Sequence, residues 1–235
     1  MKKLSFYEQV GIVIPGSILI FGLMFYVDGL MSFFAKDGIN VGGLGVFLIV
    51  SYATGHLLAA LGYFGATFYW KWRGGIPSNW IVGPTPRLLS APQIARVQDL
   101  VTSRLSAKIR PLSEMTPEEW HPIFRQIYSD VEKNGRVARA DVFNGNYGLN
   151  RGLCAATLVL SVAILILSPG QWFVSLGLIA ASVAYLSRTH TFGANYAREI
   201  YDQFLLLPPE PGKPKKSKKA SGDAASTSTD KSTKE

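Results

Sequence analysis

VGGLGVFLIVSYATGHLLAALGYFGATFYW, residues 41–70, contains no Asp, Glu, Lys or Arg. As one straight helix it would be about 45 Å long at ~1.5 Å per residue, against a bilayer core of ~30 Å. Within hydrocarbon, only a helix or a closed barrel satisfies every backbone N–H and C=O. The stretch is too long and unbroken for a barrel strand, so it reads as a membrane-spanning helix that tilts or protrudes. Three further apolar runs flank it in the chain: Val10–Val27, Gly152–Ser168 and Gln171–Leu186. The predicted fold is therefore an all-α integral membrane protein with four transmembrane helices.

The cationic residues set the orientation, because Lys and Arg are retained on the inner side of a membrane. Lys2 and Lys3 precede the first run, and Lys36 alone separates the first two. The segment from Lys71 to Arg151 is strongly basic, the link Ser168-Pro169-Gly170-Gln171 is uncharged, and basic residues return at Arg188. The alternation puts both termini and the long central loop in the cytoplasm and two short loops outside. A multi-pass bacterial inner-membrane protein is the expected localisation. This bias accounts for most of the net charge of +8, so nucleic acid is not an expected partner. The first run exceeds the 7–15 apolar residues usual in a signal peptide and no A-x-A site follows, so it is expected to stay as a span.

Four segments follow from this frame. Residues 1–73 form a transmembrane hairpin with spans of about 10–28 and 43–68. Residues 74–135 form a cytoplasmic helical domain. Residues 136–207 form a helical stalk running into a second hairpin, with spans of about 152–168 and 171–187. Residues 208–235 form a disordered basic tail without apolar periodicity.

Local signals refine these segments. Ser5 and Glu8 have capping-box spacing at the start of the first helix, and Pro15-Gly16 should kink it. Ile94, Val97, Leu100, Val101 and Leu105 share one face of a helix over about 91–106. Thr116-Pro117-Glu118-Glu119 is a helix start with N-cap Thr, Pro at N1 and acid at N3. Trp120, Phe124, Ile127, Tyr128 and Val131 follow at helical spacing until Asn134-Gly135. The two C-terminal spans are joined by about four residues, so their cytoplasmic extensions should lie side by side.

Three groups of residues are candidates for function. Tyr52, His56, Tyr63 and Thr67 fall along one stripe of the second helix. An ionisable group inside a span suggests a polar path or proton relay; the structural alternative is a neutral His56 that hydrogen-bonds a neighbouring helix. Ser51, Gly55, Ala59, Gly62 and Ala66 recur every three or four residues and form a contact face, toward another span or toward a second copy of the chain. Asn144, Asn146, Asn150 and Arg151 lie in a stretch rich in Asn and Gly, both poor inside helices. They are expected to bond across to Arg188, His190, Asn195 and Arg198 at the membrane boundary, as a structural network or a headgroup pocket.

Weaker signals carry less. Glu118 and His121 have the Glu-x-x-His spacing of di-metal bundles, but the further pair and carboxylates such sites need do not appear. The acids have a sufficient role at a helix N-terminus. Cys154 is the only cysteine, which excludes an intramolecular disulfide, and it reads as a small packing residue. Lys213, Lys215, Lys216, Lys218 and Lys219 could attract anionic headgroups. There is no phosphate loop, dinucleotide fingerprint, nucleophile elbow or zinc motif, so no metal or cofactor is expected. The expected function is a non-enzymatic membrane-anchored partner, sensor or effector subunit that docks a cytoplasmic protein. The alternatives are a small homo-oligomeric channel lined by the second span and, last, a membrane-surface enzyme.

Overall fold

The computed structural model describes residues 6–35, 41–105 and 109–208, and these are helices, turns and short 3-10 segments without strands. The helices are α1 (Phe6–Leu23), α2 (Leu30–Ala35), α3 (Val41–Trp72), α4 (Ala91–Arg104), α5 (Pro117–Lys133), α6 (Ala138–Leu167) and α7 (Trp172–Leu205). Helices α3, α6 and α7 are each long and apolar enough to cross a membrane. The proposed Ser5–Glu8 cap and the lysine-rich tail lie outside the described residues.

The first apolar run ends its helix earlier than its composition predicts. After Leu23 the chain turns through Tyr26 N–H to Leu23 C=O and Leu30 N–H to Val27 C=O hydrogen bonds. Gly29 then takes a φ of 78°, a left-handed conformation that Gly adopts without a Cβ penalty. Residues 24–27 are apolar enough for a span but leave the helix to make this corner. The apolar helical stretch that remains, Val10–Leu23, is shorter than the other three.

Helix α1 lies against both α3 and α6. Backbones meet where α1 crosses α3. A Cβ on Gly16 would stand 1.8 Å from the Ser51 carbonyl oxygen, and one on Gly55 would stand 2.0 Å from that of Ile12. Pro15, inside α1, rests on Gly152 of α6. The Pro15-Gly16 pair thus sits at the closest approach of three helices.

Helices α6 and α7 form a long antiparallel hairpin. The hydroxyl of Ser161 donates to the Ser175 carbonyl at 3.1 Å and that of Ser175 donates back to the Ser161 carbonyl at 3.0 Å. One heptad further on, Ser182 donates to the Cys154 carbonyl at 3.1 Å, and the Cys154 thiol lies 3.2 Å from the Ser182 hydroxyl. Ser/Thr bonds of this kind hold helices where water cannot compete, at about 0.6 kcal/mol each on average. At the α6–α7 link, the Tyr26 hydroxyl donates to Gln171 Oε1 at 2.9 Å. The corner after α1 and this link therefore lie at the same end of the bundle.

At the other end, α7 continues without a break into a helical module. Ile200, Tyr201 and Phe204 of α7 are fully buried against Val97 and Val101 of α4 and Trp120, Ile127 and Val131 of α5. The amphipathic periodicity of α4 and α5 has its reason here: each turns one apolar face onto α7. The Thr116 hydroxyl accepts from Glu119 N–H at 3.4 Å while Glu119 Oε2 accepts from Thr116 N–H at 2.9 Å. The bond from the Thr116 backbone, helped by Arg110, holds the Glu119 carboxyl below the usual carboxylate range. Asn134 caps the other end and Gly135 takes a φ of 71°. An ion pair of Arg104 with Asp130 at 2.7 Å, largely buried, ties α4 to α5.

Candidate functional site

The stripe read as a polar path faces outward. Tyr52 and Tyr63 are 45% and 62% exposed, among exposed Leu57, Leu61, Phe64 and Phe68. His56 is exposed too and meets the Tyr52 ring edge-on at 4.6 Å. The Thr67 hydroxyl donates to the Tyr63 carbonyl of its own helix at 2.9 Å. These four side chains line no interior passage of a single copy among the described residues.

The small-residue face points the other way. Ser51, Gly55, Gly62 and Ala66 are buried and Ala59 is half-buried. Gly55 meets α1 as described, and a Cβ on Gly62 would come 3.1 Å from both the Cγ and the carbonyl oxygen of Arg151. The face is occupied within the chain, by α1 and α6.

The boundary residues do not form the expected cross-helix network, and this corrects the reading from sequence. Asn146 donates to the Val142 carbonyl at 2.9 Å and the buried Asn150 to the Asn146 carbonyl at 2.8 Å. Both bonds return to the backbone of α6 itself. Such i−4 bonding is local and already available in an isolated helix, so Asn needs no partner across the interface. Asn195 accepts from Arg198 on the same helix at 3.3 Å, and Arg188 lies over the Phe192 ring at 5.3 Å. Asn144 is exposed.

His190 hydrogen-bonds to another helix, and its partner is on α3. Its Nδ1 lies 3.0 Å from the Tyr69 hydroxyl. Its ring stacks on Trp70 at 5.3 Å and sits 5.6 Å from Trp80. Trp70 Nε1 donates to the Tyr147 hydroxyl of α6 at 3.1 Å, and Arg87 covers Trp80 at 4.5 Å. Gly193 leaves room for the Trp70 ring, which would stand 3.0 Å from a Cβ there. Tyr69 and Trp70 thus clamp α3 onto the hairpin where the module begins.

A second junction lies deeper in the module. Trp120 is fully buried and its Nε1 donates to the Ser78 carbonyl at 3.1 Å and to the Tyr201 hydroxyl at 2.9 Å. Tyr201 in turn donates to the Ser78 carbonyl. Three segments distant in sequence are pinned at one oxygen. Sequence reading placed Trp120 on an apolar face but had no signal for this pin, because the Ser78 carbonyl is a backbone group. A legible signal existed for the hairpin: Ser175, Ser182 and Thr189 recur every seven residues and are all buried.

Two aromatic and polar junctions fasten a module to helices of membrane length. Glu118 and Glu119 stand at the capped start of α5, and no group of three or more His, Cys, Asp or Glu is placed to hold a metal among the described residues. The chain matches no protein-family model, no curated protein and no solved structure.

Proposed function

We propose that this is a four-span inner-membrane protein whose cytoplasmic helical module docks a soluble protein, acting as a non-enzymatic anchoring, sensing or effector subunit. The observation that carries the reading is the continuity of α7: one helix runs from membrane length into the core of the module through Ile200, Tyr201 and Phe204. A binding event on the module would thereby be felt in the hairpin without a flexible joint. In this reading α1 is the fourth, shorter span. The bond from Tyr26 to Gln171 is in keeping with two outer connections on one side, and the Lys and Arg bias puts the module and both termini in the cytoplasm.

A reporter fused at Ser221 that works only in the external compartment is expected to stay silent, and activity from it would reverse the orientation. Purification of the full chain from its native membrane should bring a soluble protein with it. Charge reversal at Arg125 and Lys133, both exposed on α5, should weaken that association while leaving the module folded. Retention of every co-purifying protein by that variant would move the docking surface elsewhere.

The alternative is a homo-oligomeric channel, favoured by the outward position of Tyr52, His56 and Tyr63. A path lined by them needs the α3 faces of several copies to meet. Purified protein in liposomes is expected not to conduct ions. A leak that His56→Leu abolishes would establish the channel instead.

A further inference from the structure

We propose that the groove between α3 and the α6–α7 hairpin binds one anionic glycerophospholipid, with its phosphate on Arg151 and an acyl chain along the groove. The groove has a volume of about 420 Å³, and Leu61, Gly65, Ala66, Leu158 and Leu186 contribute to its apolar walls. Its rims at Leu61 and Leu158 are 54% and 48% exposed, on helices long and apolar enough to span a bilayer. Arg151 stands just ahead of the apolar stretch of α6 and lines the same groove.

Arg151 is the reason to name an anion. A guanidinium stays protonated and carries five N–H donors in a rigid fork. The Nε of Arg151 is buried with no hydrogen-bond partner. Its guanidinium lies 5.9 Å from the Tyr63 ring centroid and 5.4 Å from that of Tyr147. Aromatic faces attract a cation but bring no counter-charge. Among the described residues no carboxylate pairs with Arg151; Asp130, Glu119 and Glu199 each pair with another arginine. A buried donor without an acceptor is costly, while the residue as a whole is half-buried. Phosphate answers the fork geometry of Arg.

The rest of the groove selects the remainder of the ligand. An apolar channel that opens sideways at membrane depth is filled by an acyl chain, which inorganic phosphate lacks. A net negative lipid neutralises Arg151, whereas a zwitterionic one carries its own ammonium. Gly62 lets the Arg151 stem cross α3 closely, and Gly65 keeps the groove open: a Cβ there would meet nothing within 4 Å. The site is independent of what the module docks.

Purified full-length protein in detergent is titrated with phosphatidylglycerol, with phosphatidylcholine of the same chains, and with inorganic phosphate, and bound molecules are counted by native mass spectrometry. One phosphatidylglycerol per chain is expected, at least tenfold tighter than phosphatidylcholine, with no retention of phosphate. Arg151→Gln should weaken phosphatidylglycerol at least tenfold. Gly65→Leu should do the same by filling the groove, with Arg151 intact and its new Cβ meeting nothing within 4 Å, and it carries the test if Arg151→Gln does not fold. Equal binding of the two lipids, retention of phosphate alone, or unchanged phosphatidylglycerol binding in either folded variant would overturn the proposal.

Discussion

Gly55→Leu is expected to force α1 off α3 and destabilise the apolar half of the protein. The Cβ it adds would stand 2.0 Å from the Ile12 carbonyl oxygen and 2.8 Å from its carbon. Those atoms are backbone, so no rotamer change can relieve the clash. Extra methylenes in a packed core cost about 1–3 kcal/mol when neighbours can adjust, and this contact lies at or beyond the upper end. Equilibrium unfolding in mixed detergent should show the loss as an earlier transition. Gly65→Leu on the same helix, where the new Cβ meets nothing within 4 Å, should leave the transition in place. Gly→Leu by itself favours the helix, so equal destabilisation by the two would mean that the α1 crossing is not what makes Gly55 sensitive.

Trp120→Ala is the corresponding break in the module. The side chain is fully buried, and truncating a buried aromatic costs about 3–5 kcal/mol. Its loss also removes one of the two donors on the Ser78 carbonyl and one partner of the Tyr201 hydroxyl. Trp120→Phe keeps most of the volume and should cost about 1–3 kcal/mol, the penalty for polar groups left without a bond. Limited proteolysis is the measurement. Cleavage within 77–133 should accelerate strongly for Ala and modestly for Phe, while the α6–α7 link stays resistant. Cleavage at that link in step with the module would show that the two halves unfold as one unit.

These two sites differ in how far they could be foreseen. The membrane length of α3 follows from residues 41–70 alone, because hydrocarbon leaves the backbone no alternative to a helix. The start of α5 follows equally from Thr116-Pro117-Glu118-Glu119, since the cap bonds span only three residues. Even the burial of Trp120, Phe124, Ile127 and Val131 is written in their helical spacing. In each case the deciding interaction is local in sequence, and composition, period or cap chemistry reports it.

Pairing between helices is not local, and no such signal reports it. Asn146 and Asn150 looked like cross-helix partners, yet each bonds to a carbonyl four residues back on its own helix. His190 was expected to face α6, yet it turns to Tyr69 and Trp70 of α3. The first apolar run could have continued to Val27 as helix, but the corner at Gly29 and the bond from Tyr26 to Gln171 claim those residues. Neighbours along the chain were enough to settle that the stretches of α3, α6 and α7 are helical and long and apolar enough to cross a membrane, and which face of α4 and α5 is apolar. It took the packing of distant helices to settle that the glycine face of α3 is taken by α1 and α6 and that the His56 stripe faces outward. The same packing leaves Arg151 without a counter-charge among the described residues. Periodicity states that a helix has a face to bury, whereas the partner of that face depends on the shapes of all the other helices at once.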